Sequence, residues 1–340
     1  MKTKNIGIYI HIPFCKRKCE YCDFVSYSNC NNLIPEYVKW LKYEIREIGD
    51  SNKLDFENGL DDFVIVKTIY IGGGTPSVVD KCYIREIMQE LKNHFTISED
   101  AEITIEVNPG TVDERKLESY RKSGINRISI GLQSTNDKLL KLLGRIHSYE
   151  EFLSTYNMAR KVGFSNINVD LMIGLPQQKL EDVEKTIEEI IKLNPEHISA
   201  YSLIIEEETP FAKKIESGEL QLPDEEIERK MYWLVKKKLE EAGYSHYEIS
   251  NFAKLGYESK HNTSCWNQDE YIGIGVAAHS YTNNVRYSTI ESISEYINNF
   301  ETNNESDNLI FHEKQNRESK MKEFMLLGLR KLKRNFYKGF

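Results

Sequence analysis

Ile10-His11-Ile12-Pro13-Phe14-Cys15-Lys16-Arg17-Lys18-Cys19-Glu20-Tyr21-Cys22-Asp23-Phe24 is the stretch whose reading decides the fold. Its cysteines follow the spacing C-x3-C-x2-C, with no fourth cysteine close behind. A complete [4Fe–4S] site takes four thiolates, one per iron. Three thiolates on one loop would leave the fourth iron open to a small molecule. A zinc site or three unrelated thiols are the alternatives at this point. Structural zinc normally takes four protein ligands, and the nearest further candidates, His11 and Cys30, are poorly spaced for it.

Outward from this loop, the composition fits an enzyme-sized cytoplasmic protein. At 340 residues the chain can bury one large core or two domains. Its formal net charge of −8 gives no global basic field, so no nucleic-acid partner is expected. Six cysteines are too few for a disulfide scaffold at this length. The N-terminus passes straight into an alternating strand, without the apolar core of a signal peptide. No uncharged apolar run is long enough for an integral membrane span.

The strand before the cysteine loop alternates Ile6, Ile8, Ile10 and Ile12 with Gly7, Tyr9 and His11, which is period two. Further strands are expected over Val64–Ile71, Ile103–Val107, Arg127–Gly131, Ile167–Met172 and His197–Leu203. Helical patterns such as Val38, Leu41, Ile45, Ile48 and Val183, Ile187, Ile190, Ile191 lie between them. Repeated strand–helix units predict an α/β fold with a parallel sheet. Six of them suggest a curved, incomplete (β/α)6 TIM-type barrel. The expected division is a partial barrel over 1–215 and a smaller α+β region over 216–340. That second region opens with a long helix over Glu225–Ala242 and short strands. The polar stretch Glu301–Ser319 reads as loose, and a last helix as Lys320–Lys333.

Polar motifs fall at the expected strand ends, where barrels build their sites. Gly72-Gly73-Gly74-Thr75-Pro76 follows the second strand, and its glycines allow close backbone approach to a ligand. Glu106 ends the third strand, Gln133 ends the fourth, Asp170 lies in the fifth and Ala200 in the sixth. Tyr9 and His11 point opposite to the isoleucines, toward the barrel axis or the cluster loop. Tyr21 offers an aromatic face that suits a purine ring or simple packing. Arg145 follows a helical pattern and reads either as a site cation or as a helix cap.

The cysteine triad with the glycine segment resembles the radical S-adenosylmethionine (SAM) superfamily. The runs Tyr9–Cys15, Gly72–Ser77, Ile105–Pro109, Arg127–Ser134, Leu143–His147 and Val169–Pro176 occur in that order. Together they resemble the oxygen-independent coproporphyrinogen III oxidase family over nearly the whole chain to about residue 285. The resemblance implies a [4Fe–4S] cluster on Cys15, Cys19 and Cys22 and SAM chelating its open iron. It implies SAM contacts at Tyr9, Gly73, Gly74, Thr75, Glu106, Gln133, Arg145, Asp170 and Ala200. His11 and Tyr21 are added from the reading of the residues.

The family has two main branches. The oxidase branch, which decarboxylates coproporphyrinogen III to protoporphyrinogen IX, carries a further cysteine two positions after the third. Here that position is Phe24. It also carries a long N-terminal arm, whereas fourteen residues precede Cys15 here. The Cys-Asp-Phe ending resembles the haem chaperone branch, as does Lys260–Trp266 followed by Tyr271–Gly275 and Ala278-His279-Ser280. That branch is associated with an H-N-x-x-Y-W motif implicated in haem handling; this chain has Cys265 at the tyrosine position. The C-terminal region also reads as shortened relative to the family. The reading is therefore a HemW-like haem chaperone, with the oxidase activity as the alternative and no catalytic residue assigned. Haem would be cargo, with His261 and Cys265 near it, four apart and on one face of any helix there. The implied partners are client apo-haemoproteins, an electron donor such as flavodoxin or ferredoxin, and a second copy of the chain in a homodimer.

Overall fold

The alternation of Ile8, Ile10 and Ile12 with Tyr9 and His11 becomes the organising feature of the structure. The computed structural model describes residues 3–50 and 63–332. Six strands follow one another as expected: β1 (Thr3–Ile12), β2 (Phe63–Gly73), β3 (Thr96–Val107), β4 (Arg127–Gln133), β5 (Ile167–Ile173) and β6 (His197–Ser202). The helices between and after them are α1 (Ile34–Asp50), α2 (Lys81–His94), α3 (Glu114–Lys122), α4 (Asp137–Leu142), α5 (Tyr149–Lys161), α6 (Leu180–Leu193), α7 (Pro210–Glu216) and α8 (Glu225–Glu241). The chain continues through β7 (Ser245–Glu248), β8 (Asn251–Ala253), α9 (Lys260–Trp266), β9 (Tyr271–Ile274), β10 (His279–Thr282), β11 (Val285–Thr289), α10 (Ile293–Glu301), β12 (Leu309–Lys314) and α11 (Arg317–Gly328).

Among the described residues these strands form one twelve-stranded sheet in the order β12-β11-β10-β9-β1-β2-β3-β4-β5-β6-β8-β7. Neighbours from β1 to β6 pair in parallel, and β9 adds a further parallel strand on the free side of β1. Antiparallel strands extend both ends, β10 to β12 on one side and β8 and β7 on the other. The order is linear, so the barrel is open, as the count of strand–helix units implied.

Successive side chains on a strand face opposite ways, so each strand serves two environments. Ile8, Ile10 and Ile12 join Tyr37, Leu41 and Ile45 of α1 in a single large core that continues under the other helices. The opposite face is polar. Register places Thr68 beside Glu102, Thr104 beside Arg127, Glu106 beside Ser129, Gly131 beside Asp170, and Asp170 beside Ser199. Burying such a row costs free energy unless its members bond one another. They do: Asn168 Nδ2 donates to Ser129 Oγ at 2.7 Å, and His197 Nδ1 lies 2.6 Å from Asn168 Oδ1.

One buried carboxylate ties the second half of the chain to the first. Glu44 Oε2 on α1 accepts from the Gly275 amide at 3.0 Å and from the Tyr296 hydroxyl of α10 at 2.6 Å. Tyr37 donates to the His11 carbonyl at 2.8 Å and accepts from the Val276 amide at 3.2 Å. Burial pushes the Glu44 carboxyl up to about 7.

The segment expected to be loose is ordered instead. After α10, residues Glu305–Asn308 form a 3-10 turn and β12 pairs antiparallel with β11. All six β12 residues are exposed. Backbone pairing rather than burial makes this strand, so it carries no apolar alternation to read. The last helix starts earlier than expected because the Asn316 side chain caps it by accepting from the Ser319 amide. Lys333, its expected end, lies outside the described residues. Among the described residues no helix is long and apolar enough to cross a membrane.

Candidate cluster and SAM site

The cysteine loop leaves β1 at Pro13 and is pinned by a two-residue parallel pairing of Phe14–Cys15 with Tyr27–Ser28. Cys15 is buried, and its Sγ lies 3.4 Å from Thr75 Oγ1. Burial raises its thiol above the ordinary range, with the Thr75 and Ser26 hydroxyls opposing. Burial likewise pushes Cys22 up to about 11. The Cys22 amide donates to the Cys19 carbonyl at 3.2 Å, which turns the loop back on itself. Cys19 Sγ receives Arg145 Nη1 at 3.7 Å. Among the described residues no three His, Cys, Asp or Glu side chains converge on one point as a single-ion site would need.

The three thiols open into a cavity of about 320 Å³ at the C-terminal ends of β2 to β6. Its walls include Gly73, Gly74, Thr75, Glu106, Gln133, Arg145 and Asp170, and Tyr21 stands at its edge. Eight non-cysteine residues expected from separate sequence motifs, Tyr21 included, thus meet in one space with the cysteines. The glycines are required by geometry. Gly73 has φ +110°, and a Cβ there would lie 2.7 Å from the His11 ring. A Cβ at Gly74 would lie 2.9 Å from the Phe14 carbonyl and 3.1 Å from Cys15 Sγ. Only bare backbone can pass between the cluster loop and the cavity.

The charged wall is held by specific partners. Arg145 Nη2 donates to Asn108 Oδ1 and to the Gly131 carbonyl, both at 2.7 Å. Its side chain is therefore held in the cavity wall and does not reach back to the carbonyls that end α4. Its buried Nε has no partner, which leaves a donor for a ligand in the cavity. Asp170 accepts from Ser129 Oγ at 3.0 Å and Asn168 Nδ2 at 2.7 Å, and burial raises its carboxyl. Glu106 accepts from the Tyr70 hydroxyl at 2.7 Å. Burial pushes it up to about 7, while Tyr70 and the Gly73 amide oppose and Asp170 adds to the rise. Two desolvated carboxyls in one cavity favour a cationic ligand. Gln133 sits at φ +74°, a strained conformation for a residue with a side chain, at the mouth of β4.

Three expected contacts stand off the cavity wall. Tyr9 stacks on Tyr70 with centroids 6.2 Å apart, and its hydroxyl lies 3.1 Å from His11 Nδ1. His11 Nε2 lies 2.9 Å from the Val25 carbonyl, and burial brings the ring down to about 4. Both brace the loop from behind. Ala200 faces the core while its neighbour Tyr201 lines the cavity. Tyr21 serves packing as well, with its ring 6.4 Å from that of Phe211. The wall also includes Asn108, Tyr70, Ser129, Met172 and Tyr201, none of them among the expected SAM contacts. Period two from Glu106 and Asp170 would have found Tyr70 and Tyr201, because β2 and β6 present the same face.

The expected haem residues lie elsewhere. The segment forms the short helix α9, capped by Ser259. His261 is buried under the cavity, with Nδ1 2.9 Å from Thr68 Oγ1 and its ring stacked on Tyr70. Cys265 is half-buried, and burial pushes its thiol up to about 11. Trp266 carries the Arg330 guanidinium 4.3 Å above its ring.

Comparison with known proteins agrees with this geometry. The radical SAM superfamily profile matches residues 9–190. A protein of Bacillus subtilis (strain 168) named heme chaperone HemW is 39% identical over 291 residues, covering 85% of this chain and 74% of that one. Its namesake from Buchnera aphidicola subsp. Schizaphis graminum is 41% identical, covering 88% and 76%. Its namesake from Lactococcus lactis subsp. lactis is 35% identical, covering 97% and 83%. Among solved structures, Escherichia coli coproporphyrinogen III oxidase (HemN), a radical SAM enzyme, superimposes with a TM-score of 0.82 at 23% identity, covering 97% of this chain and 76% of that one. This last likeness is one of fold. With a matching profile, curated relatives above 30% identity and the cysteine loop opening on a carboxylate-lined cavity, the chain belongs to the radical SAM superfamily and, within it, to the HemW family.

Proposed function

We propose that this protein is a cytoplasmic haem chaperone that binds a [4Fe–4S] cluster, SAM and haem, and delivers haem to apo-haemoproteins. The observation that carries this reading is its identity, up to 41% over most of its length, with proteins named heme chaperone HemW. Cys15, Cys19 and Cys22 would hold the cluster, and SAM would bind beside it in the cavity. The bound pair supplies one-electron cleavage chemistry. The chain's own residues bind and orient. Gly73, Gly74 and Thr75 present backbone to the SAM amino group. Arg145 meets its carboxylate, and Glu106 and Asp170 meet its cationic and hydroxyl groups. Gln133 closes the mouth of β4, Tyr21 faces the adenine, and Tyr9, His11 and Ala200 support from behind.

The electron donor, of flavodoxin or ferredoxin type, would meet the cationic run Lys16-Arg17-Lys18, which flanks the thiols on a chain of net charge −8. Haem would be taken by the 216–340 region, at the segment holding His261 and Cys265. His261 is enclosed in the barrel, so ligation through it requires α9 to lift. A homodimer is carried as part of the proposal.

The test is an anaerobic assay of reconstituted protein with SAM, reductant and coproporphyrinogen III, beside a haem titration with transfer to an apo-haemoprotein. Stoichiometric haem binding and transfer without decarboxylation is the expected result. Conversion to protoporphyrinogen IX at multiple turnovers would overturn it in favour of the oxidase. Sedimentation of the same samples reads the dimer.

A further inference from the structure

A direct line of side chains joins the carboxylate wall of the cavity to α9. The Tyr70 hydroxyl donates to Glu106 Oε1 at 2.7 Å. The same ring stacks on the His261 imidazole, with centroids 5.3 Å apart and planes 28° apart. His261 is fixed in turn by Thr68 Oγ1 at 2.9 Å and by its own amide, which donates to the buried Glu102 carboxylate at 3.1 Å. There is no slack beside Tyr70. A Cβ added at Gly72 would lie 2.8 Å from its ring and 3.1 Å from the Glu106 carboxylate. Packed interiors of this kind have discrete arrangements and do not deform continuously. Tyr70 therefore cannot turn without displacing Glu106 or His261.

We propose that Tyr70 is a positioning residue that holds Glu106 in place for SAM, and that His261 holds Tyr70, so that the seating of α9 and the affinity for SAM are energetically linked. The inference rests on reading Glu106 as a SAM contact. Linkage is reciprocal. SAM at Glu106 steadies α9 by as much as a seated α9 strengthens SAM. α9 also carries Cys265 and Trp266, so a ligand taken at that helix is felt in the cavity.

The groups facing Glu106 are Tyr70 from β2, Tyr9 from β1, Asp170 from β5 and Tyr201 from β6. Burial is the largest influence on its carboxyl and raises it, and the Tyr70 hydrogen bond lowers it. Removing that hydroxyl shifts the titration upward, so the carboxylate that attracts a cation forms only at higher pH.

The experiment measures SAM affinity against pH for the reconstituted wild type, Tyr70→Phe, His261→Phe and His261→Ala. Amide hydrogen exchange over residues 260–266 is followed with and without SAM. Tyr70→Phe should weaken SAM by about tenfold, raise the pH midpoint of binding and abolish the SAM-dependent protection of α9. His261→Ala should shift both in the same direction by less, and His261→Phe, which keeps an aromatic ring against Tyr70, should restore them. Iron content and melting temperature verify that each variant is folded. Unchanged affinity and an unmoved midpoint in Tyr70→Phe overturn the proposal, as does wild-type coupling in both His261 variants. If the wild type itself binds no SAM, the reading of the cavity falls. The positioning claim is then decided by carboxyl NMR of Glu106 without ligand, where an unmoved titration in Tyr70→Phe overturns it.

Discussion

Cys15, Cys19 and Cys22 differ from the remaining cysteines by what surrounds them. Cys82 is exposed at the start of α2, where its amide donates to Asp80, and Cys265 lies on α9 away from the cavity. Cys19→Ala should therefore lose most of its reconstituted iron and sulfide, whereas Cys30→Ala, Cys82→Ala and Cys265→Ala should keep theirs. Iron and sulfide assays check this, and full content in Cys19→Ala would remove the loop from the cluster site. At this scale the sequence was most legible where polar residues stood at strand ends. Glu106 and Asp170 are anomalous in strands and so announce themselves, whereas Arg145, after a helix, read equally as a cap; the structure draws the three together. Tyr70 was passed over because an aromatic residue in a strand reads as core, although its period-two register matches that of the site face. Ala200 carried no side-chain chemistry to test the expectation, and it faces away from the cavity.

β1 is first in sequence and sits between β9 and β2 in the sheet. Its isoleucines are fully enclosed on the helix side. Ile10→Ala should destabilise the protein by about 2–5 kcal/mol in denaturant titrations, because the truncated methyl and methylene groups leave a cavity in close packing. Phe311→Ser on the exposed edge strand β12 should change stability by no more than about 0.5 kcal/mol. Equal effects would contradict the placement of the two strands. Elements of the barrel were legible because amphipathic helices and period-two strands repeat with buried faces. β12 was missed because it has no buried face, and the pairing of β9 with β1 because a parallel register between distant segments leaves no local signature.

The molecule as a whole is closed by Glu44, which bridges α1, α10 and the turn after β9. Its carboxyl, ordinarily near 4.5, is raised to about 7 by burial. Between those values the folded protein holds a proton that the unfolded chain has released. Stability from this group therefore falls as pH rises through the window. Glu106 adds a slope of the same sign, whereas His11 and His261, lowered to about 4, give the opposite slope in wild type and variant alike. Glu44→Gln should gain on the wild type by on the order of 1–3 kcal/mol between pH 5 and 8, levelling above about 7. A parallel pair of stability–pH curves would show that Glu44 titrates normally. The position of β1 has one more consequence, at the ribosome. Ile10 pairs with Ile274 on one side and Ile71 on the other. At roughly 5–20 residues per second, Ile274 is made roughly 15–50 s after Ile10. Throughout that interval the nascent strand that leads into the cysteine loop keeps an open edge, so the cluster loop is anchored in a finished sheet only once Ile274 has been made.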